Sequence, residues 1–314
     1  MMTSLLIATS LLVVGPQRAK PVAMLLDSQG TVEVRSAGGT QRVRTGDLLF
    51  PGDHLTVPRD GAATLAILGV GVREQIKPGA EATIGPEGCT PPGAVATRKP
   101  QAPPVAKAMK GVKPVSTDGR KAGIGLRAGP GDAPAIMPIF GALIATDRPE
   151  LVWPPHKAAK SYRVRLFSPE REELWRADTT DTRLPYPESR MPLKPDNEYR
   201  WEVVARIDRR VAEGESIEVY ASVVVGRFTV ATRSERAAIE ELKALAAGCD
   251  RADRLEAALG LARMDAVAEA IAVYESLVAQ APEEPYYRQE LAELRRRAGH
   301  ANNAPTPSAE PNPK

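Results

Sequence analysis

The sequence predicts a multi-domain, mainly β chain with a C-terminal α segment. Three observations predict it: two stretches alternate apolar and polar residues between turn residues, a Pro-rich basic stretch separates them, and from Ser234 the period becomes helical. At 314 residues the chain has room for two domains, or three small ones. Its 29 prolines against four Phe and three Trp point to small modules joined by open linkers. A net charge of +3 sets up no global field that would demand nucleic acid. Two cysteines, Cys89 and Cys249, are too few for a disulfide framework or a Cys-rich metal site.

The chain opens on "TSLLIATSLLVV" (Thr3 to Val14). The run is shorter than the about 20 residues of a membrane-spanning helix and matches the apolar region of a secretory signal peptide. Residues 1–23 are therefore read as a signal peptide or N-terminal anchor, cut near Ala19 or Ala23, with a buried first strand as the alternative. Export places the protein in the periplasm or cell envelope.

Residues 24–85 read as a small all-β domain. "GTVEVRS" puts Val32 and Val34 on one face, and "ATLAIL" does the same with Leu65 and Ile67. Gly46-Asp47, Pro51-Gly52-Asp53 and Asp60-Gly61 stand between the runs as turns. These aspartates are six and seven residues apart, each beside a glycine. An EF-hand needs its oxygen ligands closely spaced in one loop, so Asp47, Asp53 and Asp60 are assigned to turns, where the carboxylate bonds nearby backbone N–H groups.

Residues 86–137 lose all period and carry many prolines, which predicts an extended linker. This stretch is basic. Lys107, Lys110, Lys113, Arg120 and Lys121 are the candidate contacts to an anionic polymer or a membrane surface, against the plainer reading of a solvated spacer. No aromatics interleave with them, so a specific nucleic-acid platform is not expected.

In residues 138–231, "YRVRLF" places Tyr162, Val164 and Leu166 opposite Arg163 and Arg165, and "YRWEVVA" aligns Tyr199, Trp201 and Val203. Antiparallel strands with one wet face follow, paired as a sandwich. Residues 234–299 are helical, with Ser234 as the expected N-cap and Gly248 as a stop. Residues 300–314 form a polar, Pro-rich tail that is expected to be disordered.

Three resemblances attach to these motifs. "GTVEVR", "VRTGDLLFPGDHLTV", "DGAATLAIL" and "KPGAEATI" together resemble the FecR-type domain of bacterial envelope proteins, which implies a β-domain outside the cytoplasm. "RPELVWPP", "YRVRLF" and "LKPDNEYRWEVVA" resemble an immunoglobulin-like or fibronectin-III-like module, which implies that Trp153 and Trp201 are core residues. "AEAIAVYESLVAQAP" is similar to the second helix of a tetratricopeptide repeat, with Ala270, Tyr274 and Pro282 at its characteristic positions. Asp265 replaces the turn glycine of that repeat. One repeat cannot bury itself, so this unit is expected to pack on its flanking helices or on another chain.

No catalytic constellation emerges. His54, His156 and His300 lie in different segments, with no H-E-x-x-H, Cys-x-x-Cys or G-x-S-x-G. His54 beside Asp53 is read as a surface histidine at a strand entry. "GIGLRAG" (Gly123 to Gly129) lacks the strand before and helix after that a dinucleotide or phosphate loop requires. Cys89 and Cys249 could pair after export, though a buried helical thiol suits Cys249 better. No catalytic residue, metal ligand or cofactor is assigned. The expected function is a non-enzymatic exported adaptor, scaffold or signal-sensing component that binds protein partners. The alternative is a cell-wall or carbohydrate-binding protein, with Trp175 and Tyr186 stacking on a sugar ring.

Overall fold

In the computed structural model, which describes residues 20–36, 38–109, 136–210 and 216–300, four consecutive residues of the first strand, Ala23 to Leu26, are all buried. A strand with one wet face alternates; one covered on both faces does not. The chain runs β1 (Ala23–Gln29), β2 (Glu33–Ser36), β3 (Gly39–Arg42), β4 (Leu48–Leu49), β5 (His54–Thr56), β6 (Ala62–Ile67), β7 (Val72–Ile76), β8 (Glu81–Gly85), β9 (Gly88–Thr90) and β10 (Val95–Pro100). These form two five-stranded sheets, ordered β10-β7-β6-β1-β4 and β3-β2-β5-β8-β9. Val32, Val34, Leu55, Leu65, Ile67 and Ile76 fill the space between them.

The turn aspartates act as expected. Asp47 accepts a hydrogen bond from the Arg44 N–H at 2.8 Å, and Asp53 from the Phe50 N–H at 2.8 Å. Gly46 and Gly52 each take φ +87°, a region that L-residues enter at a cost of roughly 1–2 kcal/mol.

The expected extended linker over 86–137 is corrected where it is described. Residues 88–100 add β9, a turn of 3-10 helix (Pro92–Ala94) and β10, and α1 (Pro103–Met109) follows. Composition misleads here because the cohesion comes from elsewhere. The backbone of β10 pairs with β7, and the buried Glu74 carboxylate accepts from the Cys89 N–H at 2.8 Å and meets Arg98 at 3.0 Å.

Beyond it come β11 (Ala142–Ile144), β12 (Glu150–Val152), β13 (Ser161–Phe167), β14 (Glu173–Thr179), β15 (Arg183–Pro185), β16 (Glu198–Arg210) and β17 (Ser216–Val230). A five-stranded sheet, β11-β17-β16-β13-β14, faces the pair β12-β15. β11 joins β17 in parallel and the other pairings are antiparallel. Trp153, Tyr162, Val164, Leu166, Trp201 and Phe228 lie in the core; the period-two reading anticipates Tyr162, Val164, Leu166 and Trp201. The Tyr199 hydroxyl accepts from the Lys194 N–H at 2.8 Å and fixes the corner that leads into β16.

Four helices close the described chain: α2 (Arg233–Ala246), α3 (Arg251–Arg263), α4 (Val267–Gln280) and α5 (Pro285–His300). The N-cap of α2 is Thr232 rather than Ser234. The Glu235 N–H donates to the Thr232 hydroxyl at 3.2 Å and the Thr232 N–H to the Glu235 carboxylate at 2.8 Å, a capping box that Ser234 has no acidic partner to form. Asp265, in place of the turn glycine, takes φ +58° and binds Arg297 at 2.7 Å.

The helices do not stand as a separate module. Met24 and Leu26 of β1, Ala66 of β6, Leu68 and Val105 of α1 share one core with Leu242, Leu255, Leu261, Tyr274, Leu277 and Tyr287. One face of the first sheet thus serves the β-domain and the other serves the helices. Small modules on open linkers are therefore corrected to a first β-domain fused with the helical segment. The Leu143 N–H, donating to the Asp265 carbonyl at 2.9 Å, adds a tie from the helices to β11.

Candidate functional site

Two polar constellations stand out among the described residues. The first lies in the seam between the first sheet and α3. Alternation along β7 turns Arg73 toward the helices, where its guanidinium meets Asp253, Asp250 at 3.7 Å and Glu256 at 3.9 Å. Asp250 is also the N-cap of α3, accepting from the Ala252 N–H at 2.8 Å, so acids gather where the helix dipole favours them. The Gln101 amide donates to the Glu256 carboxylate at 2.7 Å, and Arg251 donates to Asp27 of β1 at 2.6 Å. Burial pushes Glu256 up to about 7, against the opposing pull of Gln101 and Arg73. Asp27 is raised, again chiefly by burial. Burial alone would lower Arg73, but Glu256, Asp253 and Asp250 outweigh it and hold it raised. The cluster ties β1 and β7 of the first sheet to α3.

The second is the outward face of the β3-β2-β5-β8-β9 sheet. Register aligns Thr40, Arg35, His54, Thr83 and Thr90 in one row, and Arg42, Glu33, Thr56 and Glu81 in the next. All of these but Arg42 line a cavity of about 330 Å³, with Ala82 and Pro91 contributing to its wall. His54 Nδ1 lies 3.0 Å from the Thr83 hydroxyl. The groove offers paired donors and acceptors to a polar ligand, and its lining holds no Phe, Tyr or Trp. The sequence carried a signal for it, because V-E-V-R, H-L-T and E-A-T-I leave every second side chain polar and on the same side. His54 is exposed, as a strand-entry histidine should be, and Asp53 beside it is committed to the Phe50 turn.

Of the five candidate anionic-surface contacts, Lys107 is exposed on α1. It therefore sits on a packed helix rather than in a linker. Lys110, Lys113, Arg120 and Lys121 lie outside the described residues, as do the apolar run from Thr3 to Val14, the Gly123 to Gly129 stretch and residues 301–314. The stacking role of Trp175 and Tyr186 is corrected. Both rings are buried and meet edge to face at 5.6 Å, with the Tyr186 hydroxyl donating to the Met191 carbonyl at 3.0 Å. Neither can stack on a sugar. Cys89 is buried, Cys249 is exposed rather than the buried helical thiol expected, and both are free. Cys249 falls in the turn between α2 and α3, not inside a helix. Among the described residues no group of His, Cys, Asp and Glu could hold a metal ion, and no helix is long and apolar enough to cross a membrane.

No family model and no curated protein matches the chain. Among solved structures, the FN1–FN3 domains of chicken CNTN1 are similar, at 11% identity and a TM-score of 0.20. The match covers 69% of this chain and 64% of that one, so the chain spans a little under two thirds of that structure.

Proposed function

We infer that this is an exported, non-enzymatic envelope protein, an adaptor or scaffold acting through protein–protein contacts. It combines a FecR-like domain, an Ig/fibronectin-III-like sandwich and a TPR-like helical end. The observation that carries this reading is the core shared by the first sheet and helices α1–α5. That core fixes the helical unit to the β-domain, so the remaining faces are presented to partners as one rigid surface instead of as tethered beads. A rigid surface favours binding by lowering the ordering cost of association. Cell fractionation combined with proximity labelling in the native cell tests it: envelope proteins should be labelled, and a purely cytosolic pool overturns it.

Export also sharpens the site of cleavage. The Val22 N–H donates to the Leu49 carbonyl at 2.9 Å and the Leu68 N–H to the Val22 carbonyl at 2.9 Å. A cut near Ala19 leaves these bonds, whereas a cut after Ala23 removes them. N-terminal sequencing of the mature protein should therefore begin before Val22.

A further inference from the structure

We propose that the groove on the outward face of the β3-β2-β5-β8-β9 sheet binds a zwitterion of dipeptide size. The ligand's ammonium sits between Glu33 and Glu81, and its carboxylate beside Arg35 and His54. The site does not depend on where in the cell the protein acts.

Register sorts the charges of the groove into two rows. Glu33 of β2 and Glu81 of β8 stand on either side of Thr56, on the two strands that flank β5. Arg35, two residues further along β2, stands opposite His54. Residues two apart on one strand share a face and are about 6.6–6.8 Å apart, so an acidic row and a basic row lie at that separation. The Thr83 hydroxyl is 3.0 Å from Nδ1 of His54. With that hydroxyl donating, the ring proton resides on Nε2, a second donor for an anion beside the Arg35 guanidinium.

These charges are unpaired, which sets this face apart. Among the described residues, Glu33, Arg35 and Glu81 have no ion pair and no side-chain hydrogen bond. On the polar face of the sandwich, by contrast, Arg163 meets Asp178, Arg206 meets Glu218 and Arg227 meets Glu198. Charges already neutralised within the chain have little left for a ligand, whereas the groove keeps both signs available for a complementary one. Its volume of about 330 Å³ suits a small molecule.

Backbone dimensions choose among zwitterions. In an extended dipeptide the terminal ammonium and carboxylate are roughly 6–7 Å apart, which matches the two rows. In a free amino acid they are only about 2.5 Å apart, and in an extended tripeptide roughly 10 Å. The exposed Thr56 hydroxyl adds a donor and an acceptor for the ligand's peptide group.

Amide chemical-shift titration of the full chain with Ala-Ala tests the proposal. Saturable shifts centred on β2, β5 and β8 are expected. N-acetyl-Ala-Ala, Ala-Ala amide and free alanine should each bind about tenfold more weakly, because each leaves one row without its partner. Arg35→Gln and the double variant Glu33→Gln/Glu81→Gln should each weaken Ala-Ala binding about tenfold. All three side chains are exposed, so both variants should keep the wild-type melting temperature. The acetylated probe separates the rows: it should bind the double variant as it binds wild type, and lose affinity on Arg35→Gln. Absence of saturable shifts on these strands overturns the proposal. So does binding that ignores the capping groups or the substitutions.

Discussion

The ring of Tyr286, on α5, occupies the place a side chain at Gly46 would take. A Cβ built on Gly46 would overlap Cγ, Cδ2 and Cε2 of that ring. The glycine of the first Gly-Asp turn thus does two things at once. It supplies φ +87°, and it leaves the space into which the helical segment docks.

Gly52 separates the two roles. It has the same φ, and nothing lies within 4 Å of a Cβ built there. Gly52→Ala should cost about 1–2 kcal/mol from backbone strain alone. Gly46→Ala should cost about 1–3 kcal/mol more, since the helices must shift to admit the methyl group. Urea denaturation of the two variants measures the difference. Equal losses would show that Tyr286 yields freely.

The seam at Arg73 makes stability depend on pH. Glu256 moves from 4.5 to about 7 on folding, so the folded state binds its proton more tightly than the unfolded state does. That contribution is complete below about 4.5 and is lost as pH rises through about 7. Glu256→Gln keeps the oxygen that Gln101 binds and removes the titration. Wild type should therefore lose on the order of 2–3 kcal/mol relative to this variant between those pH values. Denaturation curves at a series of pH values check the slope, and a parallel profile would refute it.

Trp175 and Tyr186 are packing residues. Trp175→Ala should destabilise the protein by about 3–5 kcal/mol, as expected for an aromatic removed from a core. Calorimetry of the variant reads this directly. A Trp175 that stacked on sugars from the surface would cost little stability when removed.

The two thiols should react at very different rates. Cys249 is exposed, while burial and the Glu74 carboxylate push the Cys89 thiol well above its ordinary range. A thiol reagent should titrate one group in the native protein and two after unfolding. Fast labelling of both would mean that β9 opens readily.

Much of the β structure was legible in the sequence because it is local. Period-two alternation at Val32/Val34 and at Tyr162/Val164/Leu166 specifies which face is dry, and Gly beside Asp specifies the turn. What misled was composition. The stretch from Pro86 to Met109 has little bulk and many prolines, yet β10 is held by backbone pairing to β7 and by the Glu74–Arg98 contact, partners outside the stretch itself. Trp175 and Tyr186 look the same whether a ring is wet or dry, and only their mutual packing decides it.

By itself, the sequence determined the strands of the two alternating stretches, their turns and the helical end, since each follows from the order of neighbouring residues; β9, β10 and α1 it did not. Tertiary structure alone decided that the helices and the first sheet form one body. Burial of Ala23 to Leu26 on both faces of β1 appears only once the helices are docked on the sheet. Docking Tyr286 against Gly46, and Arg73 against Asp253, requires residues more than 150 positions apart to meet. No local rule specifies such meetings; they follow from the apolar surface left over once each element has formed.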